Sequence, residues 1–237
     1  MLQAFGADIN LEKNNNQTSI FIKGKKELKP NNITVPSDLS SSAFFIIAAL
    51  INKGSKINLN NININPSRDG ILKALKKMEA KIRIQNRRKV SGEIVADLEV
   101  EYSDLVGCEL DAEMAKFMID EYPILSIAAA FAKGTSIFRG LKELRVKESD
   151  RLELIRLNLI NCGCDCQVIN DDLIIKPSET YIPKNNTIRT DFDHRIAMSF
   201  AVMGSRVDNL VIEDAESINT SFPNFIEKFN NAGGNIL

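Results

Sequence analysis

One histidine and four cysteines leave this chain poorly equipped for metal chemistry. Cys162, Cys164 and Cys166 lie close together, with alternating spacing that would put Cys164 and Cys166 on one face of a strand, but His194 stands in a different segment. No metal and no cofactor are expected. Four thiols in 237 residues also fall short of the disulfide framework of a small secreted domain. Excess charge of one sign is missing as well: 30 lysines and arginines against 31 aspartates and glutamates give a formal net charge of −1. Bulk electrostatics therefore favours neither nucleic acid nor a membrane surface as partner, and any charged partner must be recognised by a local cluster. Long apolar runs are lacking too. Residues 43–51 and 124–132 are too short to span a bilayer, and the first residues have neither a basic nor an apolar leader segment. The expectation is a cytoplasmic, globular chain with a small ligand; at 44% hydrophobic and 26% charged residues it can bury a substantial core.

What the chain does have is two charge-dense segments, Arg145-Val146-Lys147-Glu148-Ser149-Asp150-Arg151 and Asp191-Phe192-Asp193-His194-Arg195, each leading into a helix-patterned apolar stretch. Both put an arginine in the first turn of a helix, where the macrodipole already supplies about half a positive charge. A cation there is locally disfavoured unless an anion is held, so the pair reads as an anion site built on helix N-termini. A single segment of this kind reads equally as surface ion pairs among Glu148, Asp150, Asp191 and Asp193. Two of them in equivalent places of a repeat point to a site.

The repeat is visible in three segments that begin with aspartate at Asp38, Asp120 and Asp193, about 80 and then about 70 residues apart. Each runs through an alanine-rich apolar helix into a strand, at residues 56–59, 135–138 and 209–212. An amphipathic helix and a further strand follow: residues 71–78 before 81–84, 152–160 before 164–169, and 222–229 before 235–237. Phe222, Phe225, Ile226 and Phe229 fall at i, i+3, i+4 and i+7, one helix face. Residues 1–9 have the pattern of another such helix entering its strand, so the expectation is an N-terminally incomplete repeat: one unit's tail and about two and a half further units. Polar residues 85–92 are the expected crossing between domains, giving 1–85 and 86–237. The three aspartates read as helix N-caps, each worth about 1 kcal/mol. Asp120, beside Glu121 and followed by Pro123, reads equally as a catalytic group, because one cap does not need two adjacent carboxylates.

Residues 119–125, 144–151 and 193–199, with Pro36-Ser37-Asp38-Leu39-Ser40-Ser41 and Thr220-Ser221-Phe222-Pro223, resemble the 5-enolpyruvylshikimate-3-phosphate synthase (3-phosphoshikimate 1-carboxyvinyltransferase) family in order and spacing across essentially the whole chain. The resemblance implies an α/β fold of repeated βαβαββ units, the inside-out α/β barrel of enolpyruvyl transferases, with three units in each of two domains. It also implies that the first domain is represented only by its end, so that the chain by itself reads either as a noncatalytic fragment or as one half of an enzyme that a second chain or segment completes. The implied reaction adds the 5-hydroxyl of shikimate 3-phosphate to C2 of phosphoenolpyruvate, protonates C3, and then eliminates phosphate. No cofactor takes part.

Residue by residue, the resemblance makes Asp120 the base that contacts the shikimate hydroxyls, and Lys147 with Glu148 the pair near the enolpyruvyl carbon, Glu148 donating the proton. Arg151 and Arg195 match the arginines that bind phosphoenolpyruvate, with planar forks suited to a carboxylate or phosphate. Ser41 matches a serine that bonds shikimate 3-phosphate, and reads equally as part of a helix cap. His194 reads as structural, orienting its turn. The chain departs from many members in having Thr220 in place of a lysine, Glu143 in place of an asparagine, and Glu148-Ser149 in place of Glu-Thr. These features resemble the family's second sequence class and leave one phosphate contact open. The related UDP-N-acetylglucosamine enolpyruvyl transferases share the fold and phosphoenolpyruvate, but the run Lys147-Glu148-Ser149-Asp150-Arg151 favours the shikimate enzymes.

Overall fold

β1 (Asp8–Asn14) and β2 (Gln17–Lys23) form an antiparallel hairpin in register from Asp8↔Lys23 to Asn14↔Gln17. The computed structural model describes residues 2–14, 17–178 and 180–237. No described residue of this hairpin joins the core, and Leu11, Ile20, Phe21 and Ile22 are all more than half exposed. Residues 24–36 then run without regular structure.

The repeat proper starts at Ser37. Asp38 caps α1 (Leu39–Ile51), which is followed by β3 (Lys56–Asn63), α2 (Gly70–Lys77), β4 (Lys81–Val90) and β5 (Glu93–Glu101). Ser37 bridges Ile62 of β3 in parallel, while β5 pairs antiparallel with both β3 and β4. The next unit copies this plan with β6 (Glu109–Leu110), the short α3 (Ala115–Met118), α4 (Tyr122–Ala130), β7 (Ser136–Phe138), α5 (Arg151–Asn161), β8 (Asp165–Ile169) and β9 (Asp172–Lys176). Its sheet order is β6-β7-β9-β8, parallel in the first pair and antiparallel in the other two. The third unit has β10 (Thr187–Ile188), α6 (His194–Met203), β11 (Val211–Ile212) and α7 (Phe225–Asn231), with β10 and β11 parallel. Residues 235–237, expected as its closing strand, take no strand conformation.

The three apolar helices α1, α4 and α6 pack on one another. They have almost no polar face because they have almost no solvent face: all of α4, residues 196–203 of α6, and all of α1 except Ser41 and Ala48 are buried. The amphipathic helices lie outside them. α7 docks through Phe225 and Phe229 onto Phe45, with ring centroids 5.9 and 6.1 Å apart, and Phe225 also meets Phe44 edge-on at 5.9 Å. Each fully buried phenylalanine contributes about 2 kcal/mol relative to exposure. One hydrophobic core runs from Leu39 to Phe229.

That single core runs across residues 85/86. Residues 85–92 are the exposed end of the β4–β5 hairpin, and β5 carries Val95, Ala96, Leu98 and Val100 into burial beside α1. Their polarity belongs to bulged, solvated strands rather than to a linker. Register shifts between Gln85 and Arg88 and between Leu59 and Ile62 bring the Asn61 N–H, Asn86 and Arg88 to Asp97, whose carboxyl they hold down at about 2. The break in regular structure comes earlier, at residues 24–36, and three units from Ser37 onward share the core. Among the described residues, no helix is long and apolar enough to cross a membrane.

Candidate active site

The heads of α4, α5 and α6 carry the charged residues singled out from the sequence. Asp150 caps α5, accepting from the Glu153 N–H at 3.0 Å, and this starts the helix at Arg151. Asp193 caps α6, accepting from the Arg195 N–H at 2.9 Å. The approach to α6 is strained: Asp191 and Phe192 both take left-handed φ values, 50° and 59°. Each such residue costs about 1–2 kcal/mol. Asp120, expected to cap α4, does not do so. It lies in a 3₁₀ turn, Ile119–Glu121, ahead of a helix whose first turn contains Pro123, and its side chain is turned to other partners.

Those partners are Arg151 and Lys147. Arg151 is 1% exposed and binds three carboxylates: Nε to Asp193 at 2.8 Å, Nη1 to Asp120 at 3.0 Å and Nη2 to Glu148 at 2.5 Å. A buried guanidinium is tolerated only when its donors are satisfied in this way. Lys147 Nζ lies 3.3 Å from the same Asp120 oxygen and 3.7 Å from Glu143. Arg195 Nη1 donates to the Asp120 backbone carbonyl at 2.9 Å and stands 3.6 Å from Glu121. Asp120, Lys147, Glu148, Arg151 and Arg195 therefore form one cluster.

Ser41 does not join it. Its N–H and hydroxyl both donate to Asp38, at 2.7 and 2.8 Å, so it serves the cap of α1. Its neighbour Ser40 reaches the cluster instead, donating its hydroxyl to Glu121 while Arg68 Nη2 approaches that hydroxyl at 3.5 Å. Asp193 is more than a cap: besides Arg151 it accepts from the Ser149 hydroxyl at 2.9 Å. Glu121 and Ser149 are participants that reading the sequence left without a role. The only signal for Glu121 was its adjacency to Asp120.

Electrostatics separates the acids. Burial pushes the Asp120 carboxyl up, but Arg195, Lys147 and Arg151 outweigh it, and the net shift is downward. Asp193 follows the same pattern: burial is outweighed by Arg151, Ser149 and the Arg195 N–H, and the carboxyl is lowered. Glu121 goes the other way, raised by burial that Ser40 and Arg195 only partly offset. His194, half-buried at the start of α6, is lowered by burial, with Arg195 and Arg151 adding to the effect. The cysteines lie elsewhere. Cys162, Cys164 and Cys166 are free and buried, their thiols pushed up to about 12, 11 and 12, mainly by burial. No group of histidine, cysteine, aspartate or glutamate among the described residues is arranged to hold a metal ion.

Three cations around one ionised carboxylate form a centre that can hold an anion while orienting a hydroxyl. Arg195 is the more open of the two arginines: its guanidinium makes one hydrogen bond among the described residues, whereas Arg151 makes three.

Comparison with known proteins bears directly on this arrangement. Residues 1–229 match the family model described as EPSP synthase (3-phosphoshikimate 1-carboxyvinyltransferase). The 3-phosphoshikimate 1-carboxyvinyltransferases of Paramagnetospirillum magneticum and Cereibacter sphaeroides are 45% and 44% identical over the whole chain, which covers 53% of each of them. The EPSP synthase structure from Acinetobacter baumannii superposes with a TM-score of 0.89 at 39% identity, covering 98% of this chain and 53% of that one. The enolpyruvyl transferase NikO from Streptomyces tendae shares the fold at a TM-score of 0.66 and 17% identity. The chain thus spans about half the length of the curated relatives it matches. With its repeated βαβαββ units and a family match from residue 1 to residue 229, this chain belongs to the EPSP synthase (3-phosphoshikimate 1-carboxyvinyltransferase) family.

Proposed function

We propose that this chain contributes one side of a site that transfers the enolpyruvyl group of phosphoenolpyruvate to the 5-hydroxyl of shikimate 3-phosphate. The observation that carries the reading is the meeting of Asp120, Lys147, Glu148, Arg151 and Arg195 at the heads of three helices. Arg195 and Arg151 bind the carboxylate and phosphate of phosphoenolpyruvate, Arg195 first because it is the less engaged. Asp120 accepts a hydrogen bond from the substrate hydroxyl. Its lowered proton affinity makes it a weak base at rest, so it takes the hydroxyl proton only as C–O bond formation makes that proton acidic, while Lys147, 3.3 Å away, holds the carboxylate by charge. Glu148 donates to C3. Arg151 donates a hydrogen bond to it, and an anion that competes for Arg151 releases it to take up the proton that it delivers. The tetrahedral adduct then returns a C3 proton to Glu148 and expels phosphate, which leaves with the proton taken up by Asp120, so the reaction balances without a cofactor.

Residues 37–237 correspond in this reading to one three-unit domain of the family, and the protein works in the cytoplasm. Because the chain spans about half its relatives' length, the whole reaction belongs to this chain together with a counterpart of the other half, on the same polypeptide or a second one. Complementation tests this. The 237-residue chain is assayed for phosphate release from both substrates, alone and mixed with the half of the Paramagnetospirillum magneticum relative that it does not match. Turnover is expected only in the mixture, and is expected to be lost with Arg195→Ala. A mixture whose halves bind each other and both substrates without releasing phosphate would overturn the reading.

A further inference from the structure

Asp120 and Glu121 are adjacent carboxylates in one 3₁₀ turn, and they serve different arginines. The Asp120 side chain takes Arg151 and Lys147, while the Asp120 carbonyl and the Glu121 carboxylate face Arg195. Glu121 is only 2% exposed, and a carboxylate is not buried so deeply without a partner to hold it. Ser40, in the first turn of α1, donates its hydroxyl to Glu121, and Arg68 approaches Ser40 in turn. Glu121 thus ties the head of α1 to the arginine at the head of α6, from the turn that begins α4. Arg195 gains nothing from the dipole of its own helix, whose positive end it shares.

We propose that Glu121 is a positioning residue for Arg195, holding its guanidinium against the Asp120 carbonyl so that the fork is oriented before an anion arrives. The proposal rests on the reading of Arg195 as a ligand of phosphoenolpyruvate. Charge and position make opposite demands, which allows a clean separation. If Glu121 acted only as a charge, its removal would leave Arg195 less neutralised and anion binding would tighten. If it positions, its removal frees a long side chain that must be ordered again on binding, and affinity falls.

The experiment compares the 237-residue chain, complemented with the half of the Paramagnetospirillum magneticum relative that it does not match, with its Glu121→Gln and Ser40→Ala variants in the same mixture. Phosphoenolpyruvate is titrated by phosphorus NMR, and the Arg195 guanidinium is observed in ¹⁵N-arginine protein, its signals assigned by their loss in Arg195→Lys. Positioning predicts binding weaker by about threefold to tenfold in Glu121→Gln and weaker to a smaller degree in Ser40→Ala. It also predicts separate Nη signals in the native chain that merge through free rotation in Glu121→Gln, with the Arg151 signals unchanged. Tighter binding in Glu121→Gln, or Arg195 signals indifferent to it, would overturn the proposal. Should the complemented protein bind no phosphoenolpyruvate, the functional reading fails, and the Arg195 signals alone decide about Glu121: hindered and then averaged supports it, anything else rejects it. Should Glu121→Gln not fold, Ser40→Ala carries the same comparison, because it removes the tether and leaves the carboxylate in place.

Discussion

The heads of α1 and α6 are built from the same part and used differently. Each helix begins after an aspartate whose carboxylate accepts a backbone N–H of the first turn, at 2.7 Å for Asp38 and 2.9 Å for Asp193. Asp38 is exposed and attends only to its own helix and the adjoining Ser41 hydroxyl. Asp193 is fully buried and also bonds Arg151 and Ser149. A cap in solvent is a local device worth about 1 kcal/mol. A cap buried against an arginine becomes part of a charge network whose loss is felt across the molecule.

The largest expected effect tests that difference. Asp193→Ala leaves the Arg151 guanidinium, 1% exposed, without its Nε partner, and breaking a buried pair from one side costs about 3–5 kcal/mol. Asp38→Ala costs about 1 kcal/mol. Urea denaturation of both variants measures the ratio, and equal losses would break the comparison. Acid sharpens it. The folded Asp193 carboxyl is lowered, so its contribution is fully present above the ordinary aspartate value of about 3.9 and is lost as pH falls through the folded value. Asp193→Asn flattens that acid loss.

The next effect concerns what the two heads hold. Arg195→Lys keeps a cation at the head of α6 but removes the fork, and the loss of one charge-assisted hydrogen bond is worth about 2 kcal/mol, or about thirtyfold in phosphoenolpyruvate affinity. Calorimetric titration checks it. An affinity unchanged within twofold would mean that the α6 head acts by charge alone, which would bring it closer to a dipole effect than to a designed contact.

Residue patterns made much of this legible, and the failures have physical causes. The alanine-rich apolar stretches at residues 43–51 and 124–132 read as helices, and they fall on α1 (Leu39–Ile51) and on and just past α4 (Tyr122–Ala130). The charged runs place Arg151 and Arg195 in first turns, where Asp150 and Asp193 immediately ahead of them act as helix-start caps. The partnership of Asp193 with Arg151 was not legible, because it depends on how closely α5 and α6 approach, and no local pattern encodes that distance. The polar residues 85–92 lie in the β4–β5 hairpin, and their composition alone does not distinguish a solvated, bulged hairpin end from a linker. The alternation of buried Val95 or Ala96, Leu98 and Val100 that follows was the better guide. Adjacent carboxylates at Asp120 and Glu121 signalled that capping was not the whole explanation, but not which arginine each would take.

The smallest effect settles the residue on which sequence and geometry part. Three consecutive serines, Ser40, Ser41 and Ser42, open α1, and successive residues on a helix point about 100° apart, so the rotational phase of the helix decides which of them faces the site. That phase is set by the burial of Leu39, Ala43 and Phe44, which turns Ser40 toward Glu121 and leaves Ser41 half-buried beside Asp38. Ser41→Ala therefore removes one hydroxyl bond to a cap whose backbone bond remains, at a cost of about 0.5 kcal/mol. It should leave affinities for shikimate 3-phosphate and phosphoenolpyruvate within about twofold. Titration of both ligands in the complemented protein checks this. A tenfold loss for shikimate 3-phosphate alone would restore Ser41 as a substrate contact. It would also show that the head of α1 changes its hydrogen bonding when ligand binds, giving the solvent-exposed cap a second use after all.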